Sequence, residues 1–151
     1  GNLERHAWLD SGVQNFPQAT NNNYVFQHEI GYNDDGSAMT NVFVESSDFD
    51  IGDGNQFSSI SSIIPDVRFL QDDNSGTINI VTKMRNYPGE SLTTKATSEI
   101  SSSTTKANIR ARGRQAVVRV ESNDDQSGSG NLSLGWRLGA TRLDVKTDGR
   151  R

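Results

Sequence analysis

The sequence predicts an all-β protein, either an antiparallel β-sandwich or a barrel-like sheet pair, with about seven to nine strands, some of them bulged. Segments with apolar residues at alternate positions recur along the chain, and turns rich in Gly, Pro, Asn or Asp separate them. No segment has a convincing helical pattern of apolar residues. Strands at this spacing, without helices between them, favour two packed sheets.

Composition limits the class of protein. A length of 151 residues suits one domain with a real core. Only 32% of the residues are hydrophobic, but the alternating segments argue against disorder. The net charge of −4 argues against general DNA affinity, and without cysteine there is no disulfide framework. No apolar run reaches the roughly 18 residues of a membrane-spanning helix. The chain starts at Gly1 without methionine, which leaves two interpretations open: Gly1 is the remnant of a tag, or the chain is a fragment of a longer protein.

The whole chain divides into two predicted parts. Residues 1–23 combine a short apolar segment with a Pro- and Asn-rich loop, which predicts the end of an upstream domain or a first strand. Residues 24–151 are predicted to form a single β-sandwich domain, which opens with a strand over 24–32. His28 lies on the apolar face of that strand, so we expect a hydrogen-bonded core histidine. A zinc site is not expected, because His6 is the only other histidine.

Two turns flank the next predicted strand. Asp35-Gly36 is a hairpin signature, and the strand over 39–46 is expected to point Val42 and Val44 inward. The acidic loop that follows contains weak candidate calcium ligands. An EF-hand pattern fails there, because glycine does not fall at position 6 nor glutamate at position 12, so we expect an acidic turn. The candidate ligands are Asp48, Asp50 and Asp53.

The middle of the chain contains the clearest strand. Residues 56–64 predict an irregular strand that ends at Pro65. Residues 77–85 alternate cleanly, with Ile78, Ile80, Thr82 and Met84 expected on one face. A Pro-Gly turn follows, and the Ser/Thr-rich stretch 91–106 is expected to be an exposed strand and loop.

The last third is predicted to form two long strands. In each strand the alternation inverts, first at Gly113 and then at Gly139-Ala140. An inversion implies an extra residue, so we expect a bulge at Gly113 and a bulge or bend at the second site. The polar loop over 123–131 is expected to join the two strands as a hairpin.

This third also carries 9 of the 15 Lys and Arg residues. The arginines form either a solvated face with cross-strand carboxylate partners, Glu121 and Asp144 being candidates, or a phosphate- or partner-binding patch. A charged strand face is usually solvated, which favours structure or subunit contacts. We expect Trp136 to anchor the core or an interface. The arginines that we expect in salt bridges or interfaces are Arg110, Arg112, Arg114 and Arg137.

No catalytic motif is present. The sequence contains no nucleophile elbow, no Walker loop and no dinucleotide-binding glycine pattern. With no cysteine and only two histidines, nucleophilic catalysis is disfavoured. Nothing selects a pair of carboxylates for glycosidase chemistry, although acidic loops could supply one. We therefore expect no enzymatic activity and no cofactor.

Several segments, in this order, resemble the C-terminal part of tailed-bacteriophage virion structural proteins of the tail tubular, nozzle or packaged-DNA-stabilisation type. They are HEIGYNDDGSAMT (28–40), DFDIGDG (48–54), IIPDV (63–67), IRARGRQ (109–115) and WRLGATRLDVKTDGRR (136–151).

The resemblance implies a non-enzymatic module in a ring-like assembly at the portal–tail axis. Its partners would be neighbouring copies and other virion tail proteins, without a membrane. Its location would be the phage tail and, during assembly, the cytoplasm of the infected bacterium. Because a negatively charged conduit repels phosphates, we expect no tight nucleic-acid binding.

Two other functions remain open. A carbohydrate- or receptor-binding β-sandwich would expose an aromatic platform beside Asn- and Asp-rich loops, with a glycan as partner. The aromatic candidates for that platform are Trp8, Tyr24, Tyr32 and Trp136. An enzyme with carboxylate chemistry would instead need two close carboxylates in a deep cleft.

Overall fold

The all-β prediction is confirmed. The computed structural model describes residues 5–10, 12, 14–34, 37–39, 41–50, 55–70, 76–123 and 134–149. In these ranges the regular elements are strands in antiparallel sheets. The chain forms two compact units, residues 1–32 and 33–151. We predicted the boundary after residue 23, so the division lies nine residues further along.

The N-terminal unit is a three-stranded meander of β1 (His6–Leu9), β2 (Gln18–Asn21) and β3 (Tyr24–Gln27). Its tight turn between β2 and β3 consists of Asn22 and Asn23, with φ of 47° and 67°. Two left-handed residues are what a two-residue hairpin needs, and asparagine tolerates that conformation.

The predicted strand over 24–32 is too long. It ends at Gln27, because Glu29 and Gly31 both adopt positive φ, 62° and 70°. Since β3 pairs with β2, the strand that we expected to open the sandwich belongs to the N-terminal unit.

The second unit contains the other strands. They are β4 (Asn33–Asp34), β5 (Ser37–Ala38), β6 (Phe43–Glu45), β7 (Phe49–Asp50), β8 (Ser58–Ile64), β9 (Val67–Phe69), β10 (Ile78–Arg85), β11 (Thr93–Ile100), β12 (Ala107–Gly113), β13 (Gln115–Ser122), β14 (Trp136–Leu138) and β15 (Arg142–Thr147). The Asp35-Gly36 signature does lie in a hairpin, since β4 pairs with β5, although its turn residues are outside the described ranges. The strands predicted on either side of it do not pair with each other, because β3 pairs with β2 and β6 pairs with β13.

The large sheet has the order β11-β10-β13, with β6 and β7 both along the outer edge of β13. As predicted, one face of β10 points inward: Ile78, Ile80, Thr82 and Met84 are all fully buried. The prediction for β6 is wrong, because Val42 and Val44 are 36% and 53% exposed. This strand is short and lies at the sheet edge, so apolar side chains there are not covered.

The small sheet has the order β12-β8-β15, and β14 pairs with β9. Backbone hydrogen bonds continue between the two pairings: Gly139 N donates to Asp66 O at 2.7 Å, and Leu70 N donates to Gly135 O at 2.9 Å. Residues 57–70 and 135–149 thus form one long antiparallel ladder that bends near Pro65, where β8 ends as predicted.

The predicted hairpin through residues 123–131 is wrong. Strand β13 pairs with β10, whereas β14 and β15 pair with β9 and β8. Alternation identifies the residues that share a face, but it does not identify the neighbouring strand.

The inversion at Gly113 also has a different cause. Strand β12 ends at Gly113 and β13 begins at Gln115 in the other sheet, so the chain crosses between sheets rather than bulging. A Cβ at Gly113 would lie 2.8 Å from Met84 Cβ, which explains why glycine suits the crossing. A bulge does occur in β12, between Asn108 and Ala111.

Both sheets contribute to one hydrophobic core, which makes the second unit a sandwich. Trp136, Leu143 and Val145 pack against this core from the long ladder. Its buried members are Ile60, Ile63, Phe69, Ile78, Ile80, Met84, Ile100, Ala107, Ile109, Ala111, Ala116 and Val120.

Candidate functional site

The outer side of the small sheet carries two of the four predicted arginines, Arg110 and Arg112, and we call it the basic face. Its central strand, β8, presents Ser59 and Ser61. The flanking strands present long cations: Arg112 and Lys146 both stand in register with Ser59, one on each side. Its members are Ser59, Ser61, Asn108, Arg110, Arg112, Arg142, Asp144 and Lys146.

A groove of about 660 Å³ runs between β12 and β8 on the basic face. Residues 59–61 and 108–112 line it. Register shifts occur on both sides of Ser61, toward β12 and toward β15. Bulges bend a sheet and interrupt its ladder, so the groove coincides with the irregular part of the strands.

Arg112 is a salt-bridge residue, as predicted. Its Nε donates to Asp148 Oδ2 at 2.5 Å, and its Nη2 donates to the Asp148 carbonyl at 3.1 Å. The guanidinium carbon lies 4.3 Å from the centre of the Phe57 ring. These contacts hold the Arg112 side chain in one orientation beside the groove.

Arg114 lies apart from the groove, where the chain crosses between sheets. Its guanidinium carbon lies 4.9 Å from the Phe57 ring centre and 5.3 Å from the Tyr87 ring centre. Its backbone N donates to Arg85 O at 3.0 Å. Arg114 is therefore half-buried between rings, and its role is packing.

Arg110 and Arg137 are both exposed, and neither forms an ion pair with a residue that the structure describes. Arg137 stands directly opposite Arg68 in the β14–β9 pairing. Arg68 is exposed as well, so the two like charges lie side by side. Sequence reasoning missed Arg68, because only the pairing of β9 with β14 places it there.

Trp136 anchors the core, as predicted. The ring is half-buried and packs against the hydrophobic cluster. Its Nε1 donates to Ser122 Oγ at 3.0 Å. Because Ser122 belongs to β13, this bond joins the long ladder to the large sheet.

The outer side of the large sheet differs from the basic face, because its central cations, Lys83 and Arg119, are paired. Lys83 Nζ donates to Glu45 Oε2 at 2.6 Å, and Arg119 Nη1 lies 3.7 Å from the same oxygen. Arg119 Nε also donates to Glu121 at 2.5 Å, so Glu121 is an arginine partner, but within its own strand rather than across strands as predicted. Asp144 is not; it accepts from Ser61 Oγ at 2.7 Å.

The pKa of Glu45 is lowered, mainly by the hydrogen bond from Lys83 and further by the positive charges of Lys83 and Arg119, while partial burial opposes the shift. The ionised form is thus the one that the folded protein stabilises.

The weak calcium candidates do not converge in the described structure. Asp48 accepts a hydrogen bond from Arg85, so a cation partner already occupies its carboxylate. Asp50 is exposed on β7, and Asp53 lies outside the described residues. Within the described ranges no three His, Asp or Glu side chains form a group that could hold a metal ion.

The N-terminal meander has an aromatic face. Trp8, Ala19 and Phe26 stand in register across its three strands, and Tyr24 lies on the same side. Trp8 and Tyr24 are 54% and 69% exposed. The Arg5 guanidinium carbon lies 3.6 Å from the centre of the Phe26 ring.

His28 extends that aromatic face. Its ring centre lies 4.6 Å from that of Trp8, and its backbone N donates to Pro17 O at 2.8 Å. We expected a hydrogen-bonded core side chain. Instead, the buried Nε2 has no hydrogen-bond partner among the described residues, and the ring packs against Trp8 at an interplanar angle of 40°.

The described residues contain no helix long and apolar enough to cross a membrane. No protein-family model matches the sequence, and no curated protein matches it.

Proposed function

We propose that this chain is a structural module of a phage virion protein that contacts neighbouring subunits in a ring-like tail assembly. The ordered resemblance over residues 28–151 supports the class of protein. The observation that carries the contact is the opposed pair Arg68 and Arg137.

Like charges directly opposite each other destabilise a pair of strands. A carboxylate from outside the chain offsets that repulsion, because the planar guanidinium group binds carboxylates in a bidentate geometry. Another copy of the chain supplies such groups, since each copy has a net charge of −4. A basic patch against an acidic surface is a head-to-tail contact, which closes into a ring when the rotation between subunits allows it.

Light scattering over a range of protein concentrations tests this contact. We expect association that weakens as salt rises, because salt screens exposed charges, and closed rings by negative-stain imaging. Arg68→Gln and Arg137→Gln should weaken association. Lys95→Gln is the matched control, because Lys95 is an exposed cation on β11. A monomer at every concentration in low salt, or an equal effect of the control, would contradict the proposal.

A second candidate function, carbohydrate binding, is favoured by the aromatic face. Exposed rings beside the Asn22–Asn23 turn have the composition of a sugar-stacking platform. Trp8→Ala should abolish glycan binding, measured by array and by NMR titration. Leu9→Ala is the control, because Leu9 is equally exposed, at 51%, but points to the opposite face of the meander. Loss of binding in both variants would argue against a platform.

A further inference from the structure

The groove on the basic face is lined by hydrogen-bond donors. Its polar side chains belong to serine, asparagine and arginine. Serine and asparagine side chains can donate a hydrogen bond, and the arginines cannot accept one. The hydroxyl hydrogen of Ser61 is already donated to Asp144, so the donors that face the groove belong to Ser59, Asn108 and the two arginines. No carboxylate is among the lining residues. Such a lining is complementary to an oxyanion.

The acidic side chains beside the groove are already engaged. Asp148 accepts from Arg112 at 2.5 Å, and Asp144 accepts from Ser61 at 2.7 Å. Arg110 has no ion-pair partner in the part of the chain that the structure describes. Arg112 is thus paired with Asp148, whereas the charge of Arg110 is compensated by no ion pair among the described residues.

The two arginines of the groove are arranged to act together. Arg110 and Arg112 are exposed on the same face of β12, which places their Cα atoms about 6.6 Å apart along an extended strand. Contacts with Asp148 and Phe57 hold the Arg112 side chain in one orientation before any ligand binds. Its Nε and one Nη2 donor are used, and the remaining N–H groups are available to a ligand. Ser59 and Ser61 line the groove from the neighbouring strand β8.

We propose that this groove binds the phosphate or sulfate group of a small ligand. A volume of about 660 Å³ lies in the range of small-molecule sites. A long polyanion is disfavoured, because the net charge of −4 repels it beyond the groove. The site is independent of the subunit contact, which uses Arg68 and Arg137 on another strand pair.

The test is an NMR titration of the 151-residue chain with inorganic phosphate and inorganic sulfate. We expect saturable amide shifts at Ser59, Ser61 and Arg110. Titrations with a hexose phosphate and a hexose sulfate then distinguish the two sources of the oxyanion by their affinities.

Arg110→Gln should weaken phosphate binding about tenfold, because it removes a charge-assisted hydrogen bond. Arg110→Lys keeps the charge but loses the planar donor group, so an intermediate affinity is expected. Lys95→Gln, which removes an exposed cation elsewhere, should leave the affinity unchanged. Circular dichroism confirms that each variant is folded.

Three results would overturn the proposal. They are the absence of saturable binding, an equal loss in the Arg110 and Lys95 variants, and preferential binding of duplex DNA, which would make the groove part of a polyanion surface. Arg68→Gln should leave the phosphate titration unchanged. Loss of self-association with phosphate binding retained, or the converse, identifies the proposal that fails.

Discussion

The outer faces of the two sheets carry the same kinds of charged residue in opposite arrangements. On the large sheet, Lys83 and Arg119 share the carboxylate of Glu45, and Arg119 also binds Glu121. On the small sheet and its ladder, Arg110 and Arg137 face no acid among the described residues. Register explains the difference, because Glu45 stands opposite Arg119, whereas Arg68 stands opposite Arg137.

The ion pairs of Lys83 and Arg119 on the large sheet stabilise the monomer, whereas Arg110 and Arg137 form no ion pair among the described residues. On the large sheet, the cations also cover apolar side chains. Val81 and Val117 lie on its outer side, in register with Arg119 and Lys83, yet are 7% and 2% exposed. Long cationic side chains cover apolar surface with their aliphatic stems. Val81 and Val117 are therefore shielded from solvent by side chains of the same sheet.

The largest change in stability is expected at Trp136, which joins the long ladder to the large sheet. Trp136→Ala removes core packing and the hydrogen bond to Ser122, so it should lower the free energy of unfolding by about 3 kcal/mol. Trp136→Phe is the control that retains a ring, and it should cost about 1 kcal/mol. Urea unfolding measures both. A near-unchanged midpoint for the alanine variant would mean that Trp136 does not anchor the core.

The crossing between the sheets gives the next effect. Gly113→Ala places a Cβ against Met84 and the Arg85 carbonyl, so it should destabilise the fold by about 1–3 kcal/mol. Gly12→Ala meets no atom within 4 Å and should be close to neutral. Thermal unfolding compares them, and equal melting temperatures would show that the crossing tolerates a side chain.

Removing the Glu45 carboxylate from the outer side of the large sheet should lower the free energy of unfolding modestly. Glu45→Gln should cost about 0.5–1 kcal/mol, as expected for an exposed ion-pair network. Because the folded state lowers the pKa of Glu45, its contribution is complete above the ordinary value of 4.5 and is lost as pH falls below it. The difference between wild type and variant, followed by unfolding from pH 7 to pH 3, should therefore shrink. Asp50→Asn is the control, and a constant difference would contradict the assignment.

Removing one of the two opposed arginines, Arg68 and Arg137, should change the free energy of unfolding in the opposite direction. Arg68→Gln relieves repulsion with Arg137, so it should stabilise the monomer by about 0.2–0.5 kcal/mol in low salt. Arg142 stands opposite Ile64, so Arg142→Gln should change little. High-precision calorimetry resolves effects of this size. If Arg68→Gln instead destabilised the monomer, a carboxylate of the same chain would have to lie near Arg68 and Arg137. The argument for a carboxylate from another subunit would then fail.

Local patterns predicted the inward face of β10, the β4–β5 hairpin and the end of β8 at Pro65. They also located both changes of alternation in the last third, at Gly113 and near Gly139. For the site, they identified Arg110, Arg112 and Arg137 as residues of interest. Neither Arg68 nor Glu45 was found, because each matters only through the residue across the strand.

The strand content, the main turns and the alternating faces of the long strands follow from the sequence alone, because these depend on residues one to four positions apart. The placement of β12 and β13 in different sheets, and of β15 beside β8, depends on the tertiary fold. Strand pairing joins residues far apart in the chain, and it is selected by the combined burial of both sheets rather than by any local preference. The same long-range pairing placed the serines of β8 beside the arginines of β12 and thereby formed the groove.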